Sequence, residues 1–108
     1  MKYDVIVTDG ALADLAGIDD YLSASESIDT ATYVLDALEK TVRSLANLPN
    51  RGHYPSEFAE LGIQDYREIE WTTYRVIYRV DGQHVYIYVV ASARRDFQAL
   101  LQRRLLSL

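Results

Sequence analysis

The sequence predicts an α+β fold in which a small antiparallel sheet packs on a pair of antiparallel helices. Two runs rich in β-branched and aromatic residues, 74–80 and 83–90, flank Asp81-Gly82 and predict a β-hairpin. Apolar residues recur at helical spacing ahead of this hairpin and again after it. The chain of 108 residues is long enough for one modest core, so residues 1–108 are expected to form a single domain.

Composition narrows the class of protein. Cysteine is absent, which excludes disulfides and thiolate metal sites. The first residues become charged too soon for a secretory signal, and no apolar run approaches a membrane span, so we expect a cytoplasmic protein with no membrane partner. The formal charge is −5, yet all nine arginines follow residue 42. This distribution argues against bulk nucleic-acid binding but allows one directed contact with an anion.

The N-terminal half predicts a strand followed by a helical hairpin. Residues 3–7 alternate as a short strand, and Thr8 or Asp9 can cap the first helix. A second helix starts near Ser27 or Asp29 and ends by Pro49, because the residue before a proline is displaced from the α region. Its apolar stripe is the most regular in the chain and consists of Ala31, Val34, Leu35, Leu38, Val42 and Leu45.

The C-terminal half predicts a three-stranded meander and a closing helix over 92–106. The loop over 50–63 is long for a compact domain, so it is either functional or partly structured. A strand over 65–71 precedes the hairpin. If Thr72-Thr73 is the centre of an even-numbered turn, the facing pairs are Glu70 with Arg75, Glu68 with Ile77 and Ile69 with Val76, whereas an odd-length loop would exchange the two faces.

The register of the hairpin decides which residues share a face. With Asp81 and Gly82 as the loop, one side is nearly all apolar and is expected to be core. Its pairs are Val80 with Gln83, Tyr78 with Val85, Val76 with Ile87 and Tyr74 with Val89. The opposite side carries Arg79 beside His84, Ile77 beside Tyr86 and Arg75 beside Tyr88. This side is too apolar for ordinary surface and too charged for core, so we interpret it as the working surface.

An ordered set of stretches resembles the RelE/ParE superfamily, the toxins of type II toxin–antitoxin modules. The stretches are Ala13-Asp14-Leu15 with Ile18 and Tyr21-Leu22, 45–49 with Gly52, Tyr66-Arg67-Glu68-Ile69, 74–80, and Arg94-Arg95-Asp96. Together they span essentially the whole chain. The resemblance implies a growth-inhibiting toxin that a cognate antitoxin holds inactive. The antitoxin is expected to supply an acidic or amphipathic segment that folds on binding beside the first two helices.

The resemblance covers two mechanisms. RelE-like members look like ribosome-dependent ribonucleases that cut mRNA, whereas ParE-like members inhibit DNA gyrase. Arg75 matches the RelE-like arginine that contacts the scissile phosphate, and Arg95 matches the arginine after the last strand. The second strand lysine and the C-terminal catalytic tyrosine of the RelE type have no match here. We therefore favour a ParE-like gyrase poison over a RelE-like mRNA endonuclease, with an inactive antitoxin-binding remnant as a third alternative.

These interpretations define the candidate site. A nuclease would use Arg75, Arg95 and Glu70 as catalytic residues, with Glu68 as another candidate base; the alternative for Glu70 is a structural ion pair with Arg75. The predicted target-binding or antitoxin-binding face consists of Arg67, Arg75, Arg79, His84, Tyr86, Tyr88, Arg94 and Arg95. His53 and His84 lack a histidine or cysteine partner at metal-ligand spacing, so neither a metal nor a cofactor is expected. Arg94 and Arg95 alternatively pair with Asp96, Glu68 or Glu70.

Overall fold

The computed structural model describes residues 2–106 and has the predicted α+β architecture. Thr8, one of the two predicted caps, begins the first helix, and Ser27 caps the second helix at its predicted start; each side chain accepts from a backbone amide of the first turn. Within residues 2–106, no helix has the length and apolar character needed to cross a membrane. The elements are β1 (Asp4–Val7), α1 (Asp9–Ser25), α2 (Ile28–Arg43), a 3₁₀ turn (Ser44–Ala46), α3 (Ser56–Ala59), β2 (Arg67–Trp71), β3 (Tyr74–Asp81), β4 (His84–Ser92) and α4 (Phe97–Leu105).

The four strands form one sheet in the order β1-β4-β3-β2. The last three strands are the predicted antiparallel meander, but β1 pairs with β4 in parallel, so the expectation of an entirely antiparallel sheet is wrong. Parallel neighbours need a long connection, and here α1, α2 and the first two meander strands all lie between β1 and β4. The pairing extends past the strand through a bond from the Asp4 amide to the Gln83 carbonyl, 2.8 Å.

The predicted pairs between β2 and β3 are confirmed, including Glu70 opposite Arg75 and Ile69 opposite Val76. The predicted pairs between β3 and β4 are wrong. The tight turn is centred on Gly82 and Gln83, so Asp81 faces His84. Gly82 has φ +60° and occupies the first loop position, a conformation that glycine adopts without strain.

A β-bulge adds a second change of register between β3 and β4. Tyr78 faces Ile87, whereas Ile77 faces Val89, which leaves Tyr88 as the extra residue. Arg75 therefore faces Ala91 and not Tyr88. The displaced backbone is held by an ion pair from two helices. Asp14 of α1 accepts from the Val90 amide at 2.9 Å, and Arg104 of α4 donates to the Tyr88 carbonyl at 2.7 Å and to Asp14 at 2.9 Å.

Both faces of the sheet are covered. On one face α1 and α2 bury a core that includes Leu38, Leu45, Val76, Tyr78 and Ile87. On the other face α3 and α4 bury a second core of Phe58, Ile77, Val89, Ala91, Phe97, Leu100 and Leu101. Part of the sheet face that we interpret from the sequence as the working surface is therefore buried in the second core.

The closing helix starts later than predicted. Residue 92 ends β4, and α4 begins at Phe97 because the Asp96 side chain accepts from the Ala99 amide at 3.1 Å. Arg94 and Arg95 consequently lie in the turn before the helix. The predicted loop over 50–63 is partly structured, since it contains α3 and a bridge between His53 and Glu68.

Tyr78 fastens this loop to the main core. Its side chain is fully buried, and its hydroxyl donates to the Pro49 carbonyl at 2.8 Å and accepts from the Gly52 amide at 3.0 Å. A Cβ atom on Gly52 would lie 2.6 Å from the Glu68 carbonyl oxygen, so the close approach of the loop requires glycine.

We expect Tyr78→Phe to lower the free energy of unfolding by about 1–3 kcal/mol, because the buried Pro49 carbonyl and the partly buried Gly52 amide lose their partner while the ring volume is kept. Urea denaturation followed by circular dichroism measures the change. Tyr21→Phe is the matched control, since the Tyr21 side chain is 69% exposed. Equal stability of both variants would show that the hydroxyl does not hold the loop.

Candidate functional site

The structure distributes the predicted face over four places. Arg75 lies at the second core, beside α3 and α4. Arg67 lies at the start of the edge strand β2, where it donates to the Gly52 carbonyl at 2.9 Å and stacks on Tyr54 at 4.8 Å. The remaining residues lie along the hairpin or before α4, and they are Arg79, His84, Tyr86, Tyr88, Arg94 and Arg95.

Arg75 is enclosed by two carboxylates and a ring. Its nitrogens donate to Glu57 at 2.7 and 2.9 Å and to Glu68 at 2.9 Å, and its guanidinium carbon lies 3.9 Å from the centre of the Phe97 ring. Burial lowers the pKa of Arg75, but the hydrogen bonds to Glu57 and Glu68 outweigh this and raise the pKa further above its usual range. With a side chain only 13% exposed, this cation is already neutralised.

Glu57 was not identified from the sequence. It follows Pro55 at the start of a four-residue helix, and nothing in the loop pattern predicts a contact with β3. The hydrogen bond from Arg75 lowers the pKa of Glu57 despite partial burial. The predicted ion pair between Arg75 and Glu70 is wrong, because the arginine extends inward to Glu57 and Glu68 and leaves Glu70 at the surface.

Glu70 pairs with His53. The imidazole Nε2 lies 3.0 Å from a Glu70 carboxylate oxygen, and both side chains are more than half exposed. The hydrogen bond to Glu70 is the main cause that raises the pKa of His53, and desolvation opposes it. Backbone bonds in both directions between His53 and Glu68, 3.0 and 2.7 Å, hold the imidazole beside the edge strand.

His53, Glu68 and Glu70 also bring their ligand atoms within 4.8 Å of one another, a spacing that suits a metal ion. His53 lies 15 residues before Glu68, so no local sequence motif indicates this group. The carboxylate of Glu68 is occupied by Arg75, so an ion would have to compete with a buried guanidinium. The donor set therefore fits a metal poorly.

The hairpin carries a row of half-buried rings. Successive ring centroids are 5.9 Å apart for His84 and Tyr86, 6.4 Å for Tyr86 and Tyr88, and 5.7 Å for Tyr88 and Tyr66. Arg79 faces Tyr86 across the ladder. His84 Nδ1 is buried and has no hydrogen-bond partner among residues 2–106; it lies 4.0 Å from an Asp4 oxygen.

Arg94 and Arg95 are exposed at the mouth of a cleft against α1. Within residues 2–106 neither forms an ion pair, so the predicted pairing with Asp96, Glu68 or Glu70 is not found. The three candidate catalytic residues consequently do not converge. Arg75 is held at the second core, Glu70 is paired with His53, and Arg95 borders a cleft that neither of them lines.

Arg75→Ala should lower the free energy of unfolding by about 3–5 kcal/mol, because it leaves the Glu68 carboxylate, 4% exposed, buried without a cation. Thermal and urea denaturation measure the loss. Arg94→Ala serves as the control and should leave stability unchanged within error. Adding Glu68→Gln to Arg75→Ala should recover part of the loss, and a fully stable single variant would contradict a structural role for Arg75.

The His53–Glu70 pair should make stability depend on pH near neutrality. Because the folded pKa of His53 lies above its usual 6.5, the stabilisation is complete below pH 6.5 and is lost as pH rises through the folded pKa. NMR titration of the imidazole protons measures this midpoint. Glu70→Gln should bring the His53 midpoint down towards 6.5, and an unmoved His53 midpoint would refute the pair.

Both the sequence and the fold of this chain are similar to those of known toxins. The family described as "ParE toxin of type II toxin-antitoxin system, parDE" matches residues 5–97. Comparison with curated proteins gives no significant match. The fold is similar to the chromosomal ParDE system of P. aeruginosa, with TM-score 0.71 and 19% identity over 84% of this chain and 96% of that chain.

Two further solved structures share the fold. The RelBE2 toxin–antitoxin complex of Mycobacterium tuberculosis gives TM-score 0.63 and 21% identity over 85% of this chain and 92% of that chain. A mutant of the E. coli toxin RelE in the free state gives TM-score 0.65 and 17% identity over 97% of this chain and all of that chain, 100%. The family match covers most of the sequence, from residue 5 to residue 97, and the chain therefore belongs to the ParE toxin family of type II toxin–antitoxin systems.

Proposed function

We propose that this protein is a growth-inhibiting toxin that acts in the cytoplasm on DNA gyrase, and that a cognate antitoxin neutralises it. The observation that carries the choice of target is the enclosure of Arg75 by Glu57, Glu68 and Phe97. This is the arginine that a RelE-like nuclease would present to the scissile phosphate.

Cleavage of RNA through its 2′-hydroxyl requires a base, a proton donor and a cation that stabilises the phosphorane-like transition state. A phosphate approaching Arg75 would meet a guanidinium that already binds two carboxylates, and it would bring a third anion beside them. Like charges at this separation oppose binding. The site therefore supports an inhibitor that acts by binding more than a ribonuclease.

One observation favours the second candidate, a RelE-like ribosome-dependent mRNA endonuclease. The exposed imidazole of His53 hydrogen-bonds Glu70, and such a pair can exchange a proton near neutral pH. Arg67 lies on the same edge strand as Glu70, and it donates a hydrogen bond to the Gly52 carbonyl in the loop that carries His53. This arrangement would be a nonstandard catalytic group, since Arg75 and Arg95 take no part in it.

An apolar groove supports neutralisation by an antitoxin. It has a volume of about 350 Å³ and lies between β1, β4 and the two long helices. Its apolar lining comes from Val5, Val7, Leu15, Leu35, Leu38, Val42 and Ile87, and its rim carries Asp36, Glu39 and Arg43. An amphipathic helix could bury its apolar side here while its polar side meets the charged rim. The ParDE and RelBE2 relatives are described as a toxin–antitoxin system and complex.

The purified protein should inhibit supercoiling of relaxed plasmid by gyrase and should trap linear DNA after detergent and protease treatment. Addition of the cognate antitoxin should restore supercoiling, and mRNA on programmed ribosomes should stay intact. Codon-dependent mRNA cleavage with unaffected gyrase would contradict the proposal and support the endonuclease, for which Glu70→Gln would abolish cleavage. Normal growth on regulated expression with neither activity would indicate a remnant.

A further inference from the structure

A second concavity lies on the other side of α1 from the apolar groove. This target cleft has a volume of about 840 Å³ and runs between α1, the start of β3 and the end of β4. Its floor is apolar and includes Ile18 with the buried Leu22, Val90 and Ala91. The target cleft and the groove share no lining residue, so they are two separate concavities.

The rim of the target cleft carries two adjacent cations, Arg94 and Arg95, that form no ion pair within the described part of the chain, residues 2–106. Other arginines are engaged: Arg75 binds two glutamates, and Arg104 binds Asp14. Arg94 and Arg95 are exposed, and among residues 2–106 no carboxylate oxygen comes within 4.0 Å of their guanidinium nitrogens. They also precede the N-terminus of the nine-residue α4, whose dipole adds positive potential. Their exposed guanidinium groups can therefore pair with a carboxylate of a ligand.

Aromatic side chains flank the same cleft. Tyr21 lies on its rim and is 69% exposed. Tyr74, also on the rim, stacks on Trp71 at 6.3 Å, and Trp71 contacts Tyr33, itself 69% exposed, at 6.0 Å. Arginine, tyrosine and tryptophan are the side chains enriched at the energetic centres of protein interfaces, where an apolar floor receives an anchor residue.

The charges around the cleft favour a polypeptide over a nucleic acid as its ligand. Asp14 and Glu26 also line the target cleft, and the chain as a whole carries −5. A continuous phosphate backbone would place some charges against these acids. A polypeptide with one or two carboxylates can align them on the arginines alone.

We propose that the target cleft is the gyrase-binding surface of the toxin and receives an acidic polypeptide segment with an apolar anchor side chain. The anchor enters between Ile18 and Val90, and the carboxylates meet Arg94 and Arg95. This inference rests on the proposed gyrase inhibition and goes beyond it, because it separates the surface that meets gyrase from the groove that meets the antitoxin.

The test compares Arg94→Glu/Arg95→Glu with the matched control Lys2→Glu/Arg103→Glu, which makes the same change of charge at exposed positions away from the cleft. Purified gyrase holoenzyme is the probe. The cleft variant should need at least tenfold more protein for half-inhibition of supercoiling and should bind gyrase at least tenfold more weakly, whereas the control stays within twofold of the wild type. Both variants should bind the antitoxin within twofold of the wild type.

A second pair of variants tests the cleft even where the charge reversal disrupts folding. Tyr21→Ala should weaken gyrase binding about tenfold, and Leu61→Ala, at a side chain 60% exposed elsewhere, should not. If both cleft variants inhibit gyrase as strongly as the wild type, the cleft proposal is overturned and the proposed function stands. A wild type that does not inhibit gyrase would overturn both. Loss of antitoxin binding alone, or DNA binding that depends on Arg94 and Arg95 without gyrase binding, would also overturn the cleft proposal.

Discussion

The ion pairs of Arg75 organise one side of this molecule. Glu57 comes from α3, Glu68 from β2 and the Phe97 ring from α4, so one guanidinium on β3 joins three other elements. Buried charges of this kind are tolerated only when each has its partner. The same arrangement that closes the second core keeps the Arg75 guanidinium engaged with two carboxylates.

Local signals predicted the helices well. Thr8 and Ser27 begin their helices by accepting bonds from amides within three residues, an interaction that short sequence windows contain. Residue 92 belongs to β4 and not to the predicted closing helix, because the cap at Asp96 fixes the start of α4. The parallel pairing of β1 depends on distant elements and has no local signal.

The register of the hairpin and the composition of the site were harder to predict. The position of Gly82 in its turn and the extra residue Tyr88 each change the register between β3 and β4. The apolar pattern of one strand reveals neither change. The sequence did place arginines, phenols and acids on adjoining strands. It could not show that Glu57 would reach Arg75, since that contact crosses a loop whose path is set by Tyr78 and Gly52.

The bulge in β4 has a consequence for cooperativity. Its irregular backbone is satisfied by Asp14 from α1 and Arg104 from α4, at sequence separations of 76 and 16 residues. Fraying of α4 would remove the Arg104 guanidinium, which donates to the Tyr88 carbonyl and neutralises Asp14. Partial opening of α4 therefore leaves both groups without their cation and costs free energy. We therefore expect the first and last helices to open together and the amides at the bulge to be among those best protected from exchange with solvent.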